Sequence, residues 1–338
     1  MEKLNIDMYR NIDRITRWLC LLLVFALPSE AAAADKADYS VDVDIPYGLN
    51  HDPALRKKVQ KNAAAILTAM NMAADLGKGI NYSGIDITQE AKAALNNLWA
   101  GKKIVYASFD EDFNTPVSEK VAQNQFGEYE LRNIPVLFID NENPEDSNYE
   151  EIGITFSAQG IIQNVYITIQ REQYNKIVRG MSEVKDENNR LTILSWMEAL
   201  ATAYHEKDIP WFQKFLSNDV LVVTGSRKYT SNGETFVYKE YDKAGYIEKL
   251  RRCFKVNPVI EVKFSDITVM GHSLDEKGRY YAVECIQSWN ATHYSDVGRL
   301  YVVWDFGHPS GPQILFRGWT ELDDPTKFNI YQMPLLLE

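Results

Sequence analysis

The chain has 338 residues, 45% hydrophobic and 25% charged, and its 36 Lys and Arg against 47 Asp and Glu give a formal net charge of −11 at pH 7. That balance is ordinary for a folded chain, and its acidity repels phosphate backbones, so nucleic acid is excluded as a partner. The five histidines and three cysteines show no zinc-like spacing, so neither a metal site nor a cofactor motif is read.

The first segment reads as a leader. "MEKLNIDMYRNIDRITR" supplies Lys3, Arg10, Arg14 and Arg17; "WLCLLLVFALP" is an apolar run; "SEAAAADKA" offers small residues. This order predicts a secretory signal peptide over 1–33, cleaved after Ala33. The run is shorter than the roughly 20 residues of a spanning helix, so no membrane span is expected after cleavage. The leader carries as many acidic as basic residues, so the mature charge is unchanged. Cys253 and Cys285 then remain, one following "LRR" on a helix and the other alternating with apolar residues on a strand. They are read as separate thiols.

A first α+β module is expected over 34–185. "DYSVDVDIPYGLNHDP" reads as a polar lead-in. Leu55, Val59, Ala63, Ile66, Leu67, Met70 and Ala74 recur at helical spacing, with Asp52 and Pro53 as start signals and "LGKG" as the stop. Thr88 caps a second helix carrying Ala91, Ala94, Leu95 and Leu98. "KIVYASF", "YELRNIPVLFID", "EIGITFSAQG" and "IIQNVYITIQ" read as strands, the last two joined through "SAQG". The acidic run over 140–151 reads as an exposed loop.

The charged segment 171–190 reads as a boundary, with Asp186 able to cap the next helix. A second module over 186–323 repeats the order of parts. Leu191, Leu194, Met197, Ala201 and Tyr204 form a helical stripe, and Asp208 and Pro210 start a second helix. "VLVVTGS" is a short strand ended by Gly225, followed by a third helix with Ile247, Leu250 and Phe254. Four long strands come next: "VIEVKFSDITVMGH", "RYYAVECIQSWN", "GRLYVVWDF" and "QILFRGWTEL". "ATHYSDVG" is read as the turn of a hairpin, with Asp296 accepting backbone amides and Gly298 adopting positive φ. Residues 324–338 form a C-terminal tail. Helices followed by strands give an α+β fold class, helices packed on curved antiparallel sheets.

The phrase "AYHEKDIPWFQKFLSNDVLVVTG", with the third helix and four strands after it, resembles the nuclear-transport-factor-2-like (cystatin-like, SnoaL-like) superfamily. "WNATHYSDVGRL" and "RGWTE" resemble hairpin and last-strand motifs of secreted Bacteroidetes proteins with such a C-terminal domain. The resemblance implies a cone-shaped sheet around the first helices, holding a ligand-sized cavity, and a secreted, periplasmic or envelope location in a Gram-negative bacterium. Ketosteroid isomerases of that superfamily use a carboxylate on the first strand and a tyrosine on the first helix. Here those places fall near Thr224 and Leu200, and a threonine hydroxyl is far too weak a base.

Inside such a cone, Arg317 and Trp319 are candidate ligand-binding residues, alternating with Leu315 and Glu321 on the last strand. An arginine fork suits a carboxylate, and tryptophan supplies an aromatic plate. Trp304, Trp289 and Tyr229 complete an aromatic lining. Asp305 and Glu284 are the candidate general bases if the protein is an enzyme. His205, at a helix C-terminus, reads as an imidazolium facing the dipole. The expectation is a non-catalytic binding or assembly protein for a small apolar or amphipathic ligand, or one that dimerises through its C-terminal sheet. The alternative is a cyclase, hydratase or isomerase using a strand carboxylate.

Overall fold

The computed structural model describes residues 39–107, 117–119, 121–124, 127–145, 147–179, 187–231, 233–271 and 278–329. The expected leader over 1–33, the expected cap Asp186 and the tail beyond residue 329 lie outside the described residues.

The lead-in is not merely a connection. Val41, Ile45 and Leu49 are buried in the first core, and β1 (Val43–Asp44) pairs in parallel with β3 (Val117–Ser118). Helix α1 (Pro53–Leu76) starts where Asp52 accepts the Leu55 amide at 2.9 Å, and Pro53 has no amide to leave unpaired. It stops at Gly77, whose φ of 61° is the left-handed conformation glycine adopts without steric cost. Thr88 caps α2 (Gln89–Trp99) in the same manner. β2 (Lys102–Tyr106), β5 (Tyr129–Asp140), β6 (Asn148–Phe156) and β7 (Ile162–Ile167) form an antiparallel sheet in that order, with β4 (Val121–Gln123) also on β5. One face of this sheet buries Ile104, Ile134, Ile152 and Phe156 against Val59, Ile66, Met70 and Leu95 of the two helices.

The acidic run over 140–151 is only partly a loop. Its last residues open β6, and Glu150 and Glu151 are buried there. Each is answered: Glu150 pairs with Lys263, and Glu151 accepts from Asn133 at 2.6 Å and from the Arg171 amide at 2.8 Å. The charged boundary contains a helix of its own, α3 (Arg171–Arg179).

The second core is assembled from α4 (Glu187–His205), α5 (Ile209–Phe215) and α6 (Lys243–Val256), with Asp208 and Asp242 capping the last two. Around them runs a six-stranded sheet. "VLVVTGS" is the middle of a much longer strand, β8 (Leu216–Thr230), which continues through Gly225 into a hairpin with β9 (Gly233–Tyr241). Strand β9 buries neither face, so it carries no apolar alternation for a sequence reading to detect. β10 (Ile260–Gly271), β11 (Tyr280–Ala291), β12 (Tyr294–Asp305) and β13 (Gln313–Glu321) follow, in the sheet order β10-β11-β12-β13-β8-β9. Only β13 with β8 is parallel; the other pairs are antiparallel. The sheet curls into a half-barrel. Register shifts between Ser265 and Thr268, where Asp266 has φ 49°, and between Val303 and Trp304 add local bend.

Leu194, Met197, Tyr204, Phe212, Leu250, Val283, Leu300, Val302 and Trp304 fill the concave side. On the convex side Tyr280, Ala282, Tyr301, Val303 and Phe316 form a smaller cluster, and Phe328 packs onto it, its ring centroid 5.0 Å from that of Phe316. The described part of the tail therefore lies over the face offered for dimerisation, and a partner copy would have to displace Phe328.

The hairpin between β11 and β12 exists, but its turn is only Thr292 and His293. Asp296 and Gly298 belong to β12. Gly298 is needed for closeness, not for positive φ: a Cβ there would lie 2.4 Å from the Trp319 ring and from the Thr320 carbonyl. Among the described residues no helix is long and apolar enough to cross a membrane.

Candidate ligand site in the cone

Alternation decides which candidates face the interior. On β11, Tyr281, Val283 and Cys285 point into the main core, while Tyr280 and Ala282 belong to the convex cluster. Glu284 is thus on the convex face, its side chain 40% exposed beside Arg299 at 3.5 Å. On β12, Leu300, Val302 and Trp304 face inward and Tyr301 and Val303 outward, so Asp305 points outward as well. Asp305 is buried and engaged, accepting from Arg279 Nε and Nη2 at 2.6 Å each and from the Gly307 amide at 2.8 Å. Neither carboxylate sits inside the cone, so the candidate general bases are corrected: one is a surface ion-pair partner and the other clamps Arg279.

Arg317 and Trp319 do face inward. Leu315 does not share their face, because the bulge beside Ile314 turns it to the convex cluster. Nor does Glu321 pair with Arg317; it accepts from Arg227 Nε at 2.9 Å. Arg317 is 5% exposed. Its Nε donates to Tyr204 Oη at 3.1 Å and its Nη2 to Gln287 Oε1 at 3.0 Å, while Tyr204 and Tyr246 share a hydroxyl contact of 2.7 Å. The guanidinium also lies 5.6 Å from the Tyr246 ring centroid. Every hydrogen-bond partner in this cluster is neutral.

The wider part of the cone adds charge that the sequence reading placed elsewhere. Asp296 lies on the inward face of β12 opposite Trp289; burial raises the pKa of its carboxyl, and its Oδ1 is buried without a partner. Lys249 on α6 reaches Thr224 Oγ1 at 3.5 Å and lies over the Tyr241 ring at 4.9 Å. Its ammonium is pushed down to about 8, by burial first and then by the charges of Arg317 and Lys239. Thr224, the place of the superfamily's carboxylate base, therefore faces a lysine. The resemblance drew attention to Thr224, while Asp296 was read as part of a turn and Lys249 was not singled out. Strand register puts Asp296 on the inward face with Arg317, and Lys249 approaches that face from α6 through Thr224.

The aromatic candidates separate. Trp289 is half-buried on the inner face, edge-on to Tyr204 at 5.3 Å. Trp319 is inward, and its Nε1 is buried without a partner. Trp304 is a core residue packed against Trp196, with ring centroids 5.9 Å apart. Tyr229 is 80% exposed near the tip of the β8–β9 hairpin and lies nowhere near the cone interior. His205 is also corrected: its Nε2 lies 2.8 Å from the Val262 amide and 3.0 Å from the Val262 carbonyl, and burial lowers its pKa to about 4, which favours the neutral ring. Cys253 and Cys285 are unpaired thiols.

A separate cavity of about 320 Å³ opens between the first sheet and α4, outside the cone. Among the described residues no group of three or more His, Cys, Asp and Glu is placed to hold a metal ion.

No family model matches the chain, and no curated protein matches it. Solved structures do. A nuclear-transport-factor-2-like protein from Cytophaga hutchinsonii is 15% identical over 38% of this chain and 95% of that chain, with a TM-score of 0.29. A superfamily protein of the same description from Salmonella enterica is 12% identical over 42% and 94%, with a TM-score of 0.29. A Bdellovibrio bacteriovorus protein is 12% identical over 55% and 71%, with a TM-score of 0.32. The chain is thus an α+β protein whose matches among solved structures include nuclear-transport-factor-2-like proteins. At these scores the matches carry no argument about activity, and the architecture stands on its strand order and register.

Proposed function

We propose that this is a secreted or periplasmic, non-catalytic binding protein whose C-terminal cone takes a small amphipathic carboxylate. The observation that carries this reading is Arg317: a buried guanidinium whose hydrogen-bond partners are all neutral. A buried cation is costly without a bonded counter-charge; Asp296 acts on Arg317 only at a distance, and a ligand carboxylate would supply a direct partner in the geometry a guanidinium prefers. Lys249 adds a second cation and Asp296 a single acid, so the interior favours an anion. Trp289 and Trp319 offer apolar area for the ligand body.

The test follows tryptophan fluorescence during titration with cholate and with its neutral methyl ester. Cholate should quench saturably and the ester at least tenfold more weakly. Equal responses to both, or none to either, would end the reading. So would turnover of ester or lactone substrates lost on replacing Asp296.

A further inference from the structure

The cavity of about 320 Å³ outside the cone is walled by β5, β6 and β7 on one side and by α4 and the start of α5 on the other. Among the described residues its lining includes six carboxylates, Glu90, Glu128, Glu130, Glu198, Glu206 and Asp208, and no Lys, Arg or His. Some of that charge is already answered. Arg132, behind the wall, binds Glu198 through both nitrogens and reaches Glu130 at 3.3 Å. Glu128 accepts from Asn124 Nδ2 at 3.1 Å, and Asp208 caps the Trp211 amide at 2.9 Å. Among the described residues Glu206 has no such cation. Burial, and after it the charge of Asp208, pushes Glu206 up to about 7.

A second observation is independent of the acids. Thr155 is 5% exposed, and its hydroxyl oxygen is buried without a hydrogen-bond partner. It sits on the cavity wall between its cross-strand neighbours Glu130 and Asn164. A buried hydroxyl left unpaired costs free energy and calls for a partner. Trp211 adds an aromatic face to the same wall.

We propose that this cleft binds a small organic cation, an ammonium or guanidinium on a short body, with its charge beside Glu206 and Asp208 and a polar atom on Thr155. A bare metal ion is disfavoured, since among the described residues no three ligating groups converge and the volume far exceeds one ion. The assignment is separate from the cone, whose interior has the opposite charge.

Calorimetric titration of the full chain with agmatine, at low salt, tests it. Agmatine should bind saturably at one site, and 1,4-butanediol should give no signal. Glu206→Gln should weaken agmatine at least tenfold and Thr155→Val about threefold, both with unchanged melting temperature, while Arg317→Met should bind agmatine as the native chain does. Absence of saturable agmatine binding, full retention in Glu206→Gln, loss in Arg317→Met, or equally tight binding of magnesium chloride would each overturn the proposal.

Discussion

Arg132 and Arg317 are both removed from water, and the two are answered in opposite ways. Arg132 leaves the first sheet to meet Glu198 of α4 bidentately, with Glu130, Tyr166 and the Tyr174 ring around it. Arg317 leaves the last strand to meet only hydroxyl and amide oxygens. One charge is neutralised by the chain itself, so its role is complete once the protein folds. The other has no carboxylate bonded to it, and Asp296 acts on it only at a distance. The difference separates a joint from the proposed binding site, although both are arginines largely withdrawn from water among tyrosines.

The largest effect should come from breaking the joint. Arg132→Met leaves Glu198 buried with no cation, and the loss should be about 3–5 kcal/mol in urea unfolding. Adding Glu198→Met should restore most of it, since two apolar side chains of similar volume replace an ion pair at little net cost. If the double variant is no better than the single, the pair is not the unit of stability claimed.

His205 sharpens the contrast as a third buried base, one that the fold keeps neutral. Its folded value of about 4 lies below the roughly 6.5 of an unfolded histidine, so the unfolded chain takes up the proton first. The stability it contributes is whole above about pH 6.5 and is lost as pH falls toward 4, by about 3 kcal/mol. His205→Gln, which keeps an acceptor for the Val262 amide, should flatten that limb of the stability–pH curve. An unchanged curve would mean another group controls it. Next in size, Gly298→Ala should cost about 1–3 kcal/mol, because the added Cβ meets the Trp319 ring and a strand carbonyl that cannot yield together.

What the sequence made legible follows the same division. Helices with caps and apolar stripes, and strands with a buried face, were readable: α1, α2, β5 and β11 lie close to where the pattern puts them. Strand β9 was not, because its pairing rests on backbone alone. Of the site, Arg317 and Trp319 were found through alternation on one strand. Asp296 and Lys249 were missed, since their place depends on which residue of β12 or α6 meets β13, and no local pattern encodes that register. Tyr229 was misplaced for a related reason: a tyrosine propensity says nothing about how far a hairpin extends beyond the core. The acidic cleft was invisible, because its walls come from β5, β6 and β7 and from α4 and α5, which no local pattern brings together.

The smallest stability effect is the most informative. Arg317→Met removes a buried charge whose hydrogen-bond partners are neutral, so unlike Arg132→Met it breaks no ion pair, although Asp296 loses the attraction of the guanidinium. It gives up two hydrogen bonds worth about 1 kcal/mol each, partly offset by the relieved desolvation of the guanidinium. The unliganded protein should therefore shift by no more than about 1 kcal/mol, in either direction. The consequence for binding should be far larger: a saturating carboxylate raises the melting temperature of the native chain by mass action and should leave that of the variant unmoved. Paired melting curves, with and without cholate, read both quantities at once. A variant as crippled as Arg132→Met, and no less responsive to cholate, would make Arg317 a second joint and leave the cone without a reason to hold its charge.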